Sequence, residues 1–203
     1  MKRFLFALLM ILTVFPANAA DEQQVQNFAQ SLADQIMERV VLAKTSPAQK
    51  RAAFREVFLK ATDINKIARF TLGRYARTAS KEQIEAFTNA FTDNVILTWA
   101  DRFDGYAGKA FTFKSVRQDK NDFYVSSVLD VPNTENDVEI IWRISAKGDQ
   151  LKLMDLVVEG VSMIMSYRNE YASVLQQSGG DLQTLINLLN QKNDALRNPP
   201  KKK

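Results

Sequence analysis

Neither cysteine nor histidine occurs anywhere in this 203-residue chain. Without cysteine there is no disulfide framework, no thiol nucleophile and no thiolate metal site. Without histidine the commonest general base, the Ser-His-Asp arrangement and the usual zinc sites are excluded as well. An enzyme on this chain would have to work with carboxylates, Lys or Tyr. The chain also lacks an apolar run long enough to cross a bilayer, which takes about 20 residues; the run from Phe4 to Phe15 falls short. No cysteine follows that run, so a lipid-anchored lipoprotein is excluded too.

What stands at the N-terminus is the pattern of a secretory signal peptide. Lys2 and Arg3 precede the apolar run, Pro16 breaks it, and Ala17-Asn18-Ala19 offers the small-x-small site that signal peptidase reads. Residues 1–19 are therefore expected to be removed, leaving a periplasmic chain that begins at Ala20 or Asp21. The formal charge of +4 loses Lys2 and Arg3 with that segment, and Lys201 to Lys203 carry three of the remaining charges. A pI near 9.2 thus reflects the two ends of the chain, and nucleic acid is rejected as a partner.

The mature chain reads as helices, then strands, then helices. Val25, Phe28, Leu32, Ile36 and Val40 recur at helical spacing. Ser46-Pro47 opens a second helix carrying Phe54, Val57, Phe58 and Ala61, and Asp63 caps a third, which Gly73 closes. Ser80 and Gln83 form a capping box before a long stripe of Ile84, Phe87, Phe91, Val95, Trp99 and Phe103. After Gly105 and Gly108 the period becomes alternating. Strands are expected from Phe111, over Phe123–Val131, over Val138–Ser145 and over Leu151–Val158, joined by short polar connections into an antiparallel meander. Helical order is expected again from Val161 to Gly179-Gly180, and Asp181 caps a last helix. The fold class is α+β: a four-stranded curved antiparallel sheet wrapped by about six helices. One domain spans residues 20–197, and 198–203 reads as a disordered basic tail.

The sheet carries the chemical signal. A sheet with one wet face alternates apolar and polar residues, yet Leu153, Met154, Leu156, Val157 and Val158 put apolar groups on both sides of the fourth strand. Either helices cover both faces, or one face lines an apolar cavity between sheet and helices. The chain has 13 Phe, 5 Tyr and 2 Trp, side chains that suit either core or cavity. Asp101, Asp104 and Gly105 lack the alternating acidic spacing of a calcium loop and read as a solvated helix end. Arg143, Asp155 and Glu159 offer a charge pair, buried or on the surface. Glu159 is placed to cap the helix starting near Val161. Ser162 has no base in sequence reach, so no catalytic residue is assigned.

Ile67-Ala68-Arg69-Phe70 with Leu72-Gly73-Arg74-Tyr75, the Ser80 capping box, Trp142-Arg143, and Asp155-Leu156-Val157-Val158-Glu159-Gly160-Val161-Ser162-Met163 together resemble the MlaC, or toluene-tolerance, family of periplasmic lipid carriers. The resemblance spans nearly all the mature chain. Ala76 departs from it, standing where many members carry an aromatic. The resemblance implies acyl chains held between sheet and helices, and no cofactor or metal. It also implies lipid passed between an outer-membrane lipoprotein complex and an inner-membrane ABC transporter with an MCE-domain ring. A related branch handles hopanoid lipids.

The leading expectation is thus a monomeric phospholipid carrier without enzymatic activity. Its cavity is expected to be lined by Tyr75, Phe91, Val95 and Trp99 from helices and by Phe113, Val125, Trp142 and Ile144 from the sheet, with Val161, Ile164 and Met165 closing one end. A hopanoid or other polycyclic-lipid carrier, a protein-interaction adaptor and a periplasmic esterase are the alternatives.

Overall fold

The computed structural model describes residues 21–100, 110–130, 137–147 and 150–198. The expected signal segment, Asp101, Phe103, Asp104, Gly105, Gly108, most of the connection after Val131 and the residues from Pro199 onward, expected to form a basic tail, lie outside the described residues.

Local sequence starts and stops the helices. Helix α1 (Glu22–Ile36) begins at a capping box between Asp21 and Gln24. Helix α2 (Pro47–Ala61) begins at Ser46, whose hydroxyl accepts the Gln49 N–H while the Gln49 side chain accepts the Ser46 N–H. Asp63 accepts the Lys66 N–H at 3.1 Å to open α3 (Ile64–Leu72). Ser80 and Gln83 repeat the capping box before α4 (Lys81–Ala100). Helix α5 covers Met163–Gln177, and Asp181 caps α6 (Leu182–Arg197) through the Gln183 and Thr184 N–H groups. Gly73, at φ 58°, ends α3 and starts a 3₁₀ turn over Gly73–Arg77. The first helix does not run unbroken to Val40 as its spacing predicts. A π-helical turn occupies Met37–Val41, closed by the Leu42 N–H on the Met37 carbonyl, and buries the neighbours Val40 and Val41 together.

The sheet is an antiparallel meander, β1 (Phe111–Asp119), β2 (Asp122–Leu129), β3 (Val138–Lys147) and β4 (Gln150–Val158), with a short β5 (Val161–Ser162). Four strands are expected from the sequence; the fifth follows a tight turn at Glu159 and Gly160, with φ of 49° and 76°, and pairs Val161 with Val158. Helical order therefore resumes at Met163, two residues later than the pattern suggests. Register places Val125 beside Trp142 and Phe123 beside Ile144 on one face. That face packs with Val25, Ala29, Leu32 and Ala33 of α1.

The irregular apolar pattern of β4 has a geometric cause. Register shifts between Arg143, opposite Asp155, and Ile144, opposite Leu153, so Met154 is an extra residue in a bulge. Leu153 and Met154, neighbours that ordinary pleating would send to opposite faces, both reach the same interior space, together with Leu156 and Val158. Val157 instead aligns with Ile141 and Ser162.

Two large apolar cores result, with a smaller cluster of Val40, Phe54, Ile96 and Ala100 beside them. One joins α3, α4, α5 and α6 through Phe87, Phe91, Tyr171, Leu175 and Leu185. The other joins the sheet to α1 and α2 through Val25, Val57, Val125, Leu129 and Ile144. Between them the packing does not close.

Candidate functional site

The unfilled space is a cavity of about 440 Å³, within the range of small-molecule pockets, roughly 300–1,000 Å³. Its walls come from both cores. Leu32, Ala33 and Ile36 contribute from the end of α1, Met37 from the π-helical turn, and Phe54, Phe58 and Ala61 from α2. Phe91, Val95 and Trp99 contribute from α4, and Met163, Ile164 and Tyr167 from α5. Phe111, Leu129, Ile140, Trp142, Leu153, Met154, Leu156 and Val158 form the sheet side. Most of these are aliphatic or aromatic. Small Ala33 and Ala61 sit where large side chains would fill the space.

Both tryptophans keep their polar ends out of this apolar wall. The Trp142 indole N–H donates to Ser127 Oγ at 2.8 Å, and Ser127 passes a bond to the Ile140 carbonyl. The Trp99 indole N–H donates to the Tyr167 hydroxyl at 3.2 Å. With its N–H satisfied, an indole can offer its apolar ring to a ligand without desolvating a donor. Thr62 likewise donates its hydroxyl to the Phe58 carbonyl at 2.8 Å.

Asp155 is the one charged side chain on the wall among the described residues, and it is occupied. One carboxylate oxygen accepts the Ile164 N–H at 3.0 Å and the other accepts the Ser162 hydroxyl at 2.5 Å. The Ser162 oxygen in turn accepts the Met165 N–H at 3.1 Å. The two residues therefore cap α5 together, where a carboxylate also complements the helix dipole. This corrects the assignment of that cap to Glu159. Because β5 inserts a strand before the helix, Glu159 lies elsewhere and accepts the Glu139 N–H at 2.5 Å. The expectation that Ser162 has no base within reach is corrected as well. A carboxylate is there, but both its oxygens and the serine oxygen are tied to the helix start.

The anticipated grouping of Arg143 with Asp155 and Glu159 is also corrected. Arg143 binds Asp122 in a forked pair, Nε at 2.9 Å and Nη2 at 2.6 Å. Burial works against the Arg143 charge, but the Asp122 hydrogen bond and charge, together with the charges of Tyr124 and the cross-strand Asp155, outweigh it and raise its pKa.

Of the lining residues expected from sequence, Phe91, Val95, Trp99, Trp142 and Ile164 border the cavity. Val125 and Ile144, both 0% exposed, lie in the packed core between sheet and α1. Phe113 packs beside them, its ring 6.0 Å from that of Trp142. Tyr75 packs against the helical core, with the Arg74 guanidinium over its ring and Gly180 against its edge. Val161 and Met165 are 53% and 41% exposed. Helical spacing puts Leu32, Ile36, Phe54, Phe58 and Ala61 on buried faces without marking them as cavity wall. Met154 and Tyr167 carried no signal that separates a cavity wall from core.

Among the described residues no group of three or more acidic side chains converges as a metal site, and no helix is long and apolar enough to cross a membrane.

A binding protein of an intermembrane phospholipid transport system, MlaC of Haemophilus influenzae, is 22% identical over 201 residues, covering 94% of this chain and 93% of its own. A phospholipid-binding protein of Ralstonia solanacearum, solved in complex with a phospholipid, superposes with a TM-score of 0.75 at 19% identity. That match covers 85% of this chain and 98% of the other, and it shows that the two share a fold. The family model for the MlaC protein matches residues 22–191, from the first turn of α1 into α6, and the chain belongs to that family.

Proposed function

We infer that this protein is a phospholipid carrier whose cavity holds acyl chains and which performs no chemistry on them. The observation that carries the reading is the wall itself: a cavity of about 440 Å³ between two packed cores, faced almost wholly by apolar side chains, with its one carboxylate spent on a helix cap. An acyl chain gains about 0.8 kcal/mol for each methylene it buries, so ten methylenes on this wall are worth on the order of 8 kcal/mol. No strong head-group contact is needed, because the polar end can remain hydrated. The signal-peptide pattern supports a periplasmic location. Membership of the MlaC family supports transfer between outer and inner membranes, as the soluble component of an ABC-type system. Its expected partners are an outer-membrane lipoprotein complex and an MCE-domain transporter of the inner membrane.

The test is transfer of labelled phosphatidylethanolamine between donor and acceptor vesicles by the purified mature chain. A carrier raises the transfer rate in proportion to its concentration and leaves the lipid esters intact. Absence of transfer, or release of fatty acid, would overturn the reading.

A further inference from the structure

The near-neutral charge of the mature chain conceals a strong segregation. Between Arg39 and Lys81 there are eleven Lys and Arg against only Glu56 and Asp63, and from Ile64 to Lys81 there is no acid at all. Several arginines are neutralised, two of them within that segment: Arg39 by Glu56, Arg55 and Arg197 by Asp93, and Arg143 by Asp122. Lys66, Arg69, Arg74 and Arg77 are exposed and form no ion pair with a described residue.

These four side chains lie along one exposed stretch of chain, and the Arg168 guanidinium lies against Gly73 in the middle of it. Lys66, Arg69 and Phe70 are spaced as one stripe of α3, opposite the buried Ile67, Ala68, Thr71 and Leu72. Arg74 and Arg77 lie in the 3₁₀ turn that continues it, where residues three apart eclipse. Arg168 joins from α5, its guanidinium 4.7 Å above the Phe70 ring and bonded to the Phe70 carbonyl at 3.1 Å. Phe70 is 37% exposed in the middle of this group.

We propose that this α3–3₁₀–α5 face docks the protein on an anionic phospholipid bilayer. The partner follows from the form of the surface. It is an outward helix face with cations spread along it, and it suits a fluid array of phosphates better than one fixed carboxylate. An exposed aromatic ringed by cations is suited to the interfacial zone of a membrane. The same elements bear on the cavity from inside, Ile67 beside Lys66 on α3 and Tyr167 beside Arg168 on α5. Docking here brings the cavity wall next to the lipid surface.

Co-sedimentation of the mature chain with vesicles tests this. Equimolar phosphatidylcholine and phosphatidylglycerol should bind the protein, and phosphatidylcholine alone should not. Binding should vanish near 1 M salt, where the Debye length is about 3 Å. Each cation lost should weaken binding about fivefold, so Lys66→Ala, Arg69→Ala and Arg77→Ala together should cost on the order of a hundredfold. Arg74 and Arg168 are left in place because they also hold Tyr75 and Phe70. Removing the exposed Lys114, Lys147 and Lys192 instead should change binding no more than a few-fold. If circular dichroism shows the triple variant unfolded, Arg69→Gln alone should still give the fivefold loss. Equal binding to both vesicle types, an equal loss in the control variant, or tighter binding to polyglutamate than to the anionic vesicles would overturn the proposal. Lipid retained by the protein is measured separately. An empty wild-type cavity would count against the carrier reading, and vesicle binding without loss in the triple variant would count against this one.

Discussion

A buried carboxylate distinguishes an open cavity from a packed core, and two positions on the same side of the sheet make the comparison sharp. Val125 is 0% exposed and sits beside Trp142 and Val116 in adjoining strands, outside the cavity wall. Leu156 also sits beside Trp142, on β3's other flank, but it borders the cavity. Val125→Asp forfeits about 1.5–3 kcal/mol of apolar burial. The new carboxyl must also stay neutral in the core, a pKa rise of up to 3–5 units at about 1.4 kcal/mol each. The total, about 6–10 kcal/mol, is comparable with the whole stability of a typical domain, about 5–15 kcal/mol. Val125→Asp should therefore leave little folded protein. Leu156→Asp faces space that water can enter when no lipid is present, so the charge is hydrated and the cost falls to about 1–3 kcal/mol. Acyl chains, which need dry contact, should be expelled. The assay is the melting temperature of delipidated protein, which removes stabilisation by bound ligand, alongside lipid retained on gentle purification. A Leu156→Asp chain that unfolds like Val125→Asp, or one that keeps its lipid, would refute the reasoning.

Three further outcomes follow from the structure. Asp155→Ala strands the Ile164 N–H and the Ser162 hydroxyl, and should lower stability by about 2–4 kcal/mol in chemical denaturation, with Asp155→Asn losing less. The Tyr171 hydroxyl is buried without a partner among the described residues, and burial pushes its pKa well up, so the folded state favours the neutral phenol. That contribution is complete below the unfolded pKa, about 10, and is lost as pH rises beyond it; Tyr171→Phe should raise the melting temperature slightly and weaken the alkaline loss of stability. N-terminal sequencing of exported protein should begin at Ala20 or Asp21, and a mature chain retaining Met1 to Phe15 would contradict secretion.

Much of this architecture is legible in the sequence because it is written locally. Ser46, Asp63, Ser80 and Asp181 each declare a helix start within three residues, and the change from helical to alternating period marks the sheet. Features that depend on pairing are not local. The Met154 bulge makes a one-sided strand look two-sided, and the two residues of β5 are too few to show a period. Core and cavity are hardest to separate, since Trp142 at the wall and Val125 in the core are both apolar residues at inward positions of neighbouring strands. The segregated charge was present in the sequence throughout, but the acids outside Arg39–Lys81 cancel it in the net value.

The central claim is that the space between the two cores holds lipid. Native mass spectrometry of the mature protein after detergent-free purification tests it most directly, reading occupancy and ligand mass together. The predicted spectrum shows the chain carrying phospholipid masses, and the same preparation of Leu156→Asp shows the bare polypeptide. Wild-type protein found only at its own sequence mass, under conditions that preserve non-covalent complexes, would contradict the account.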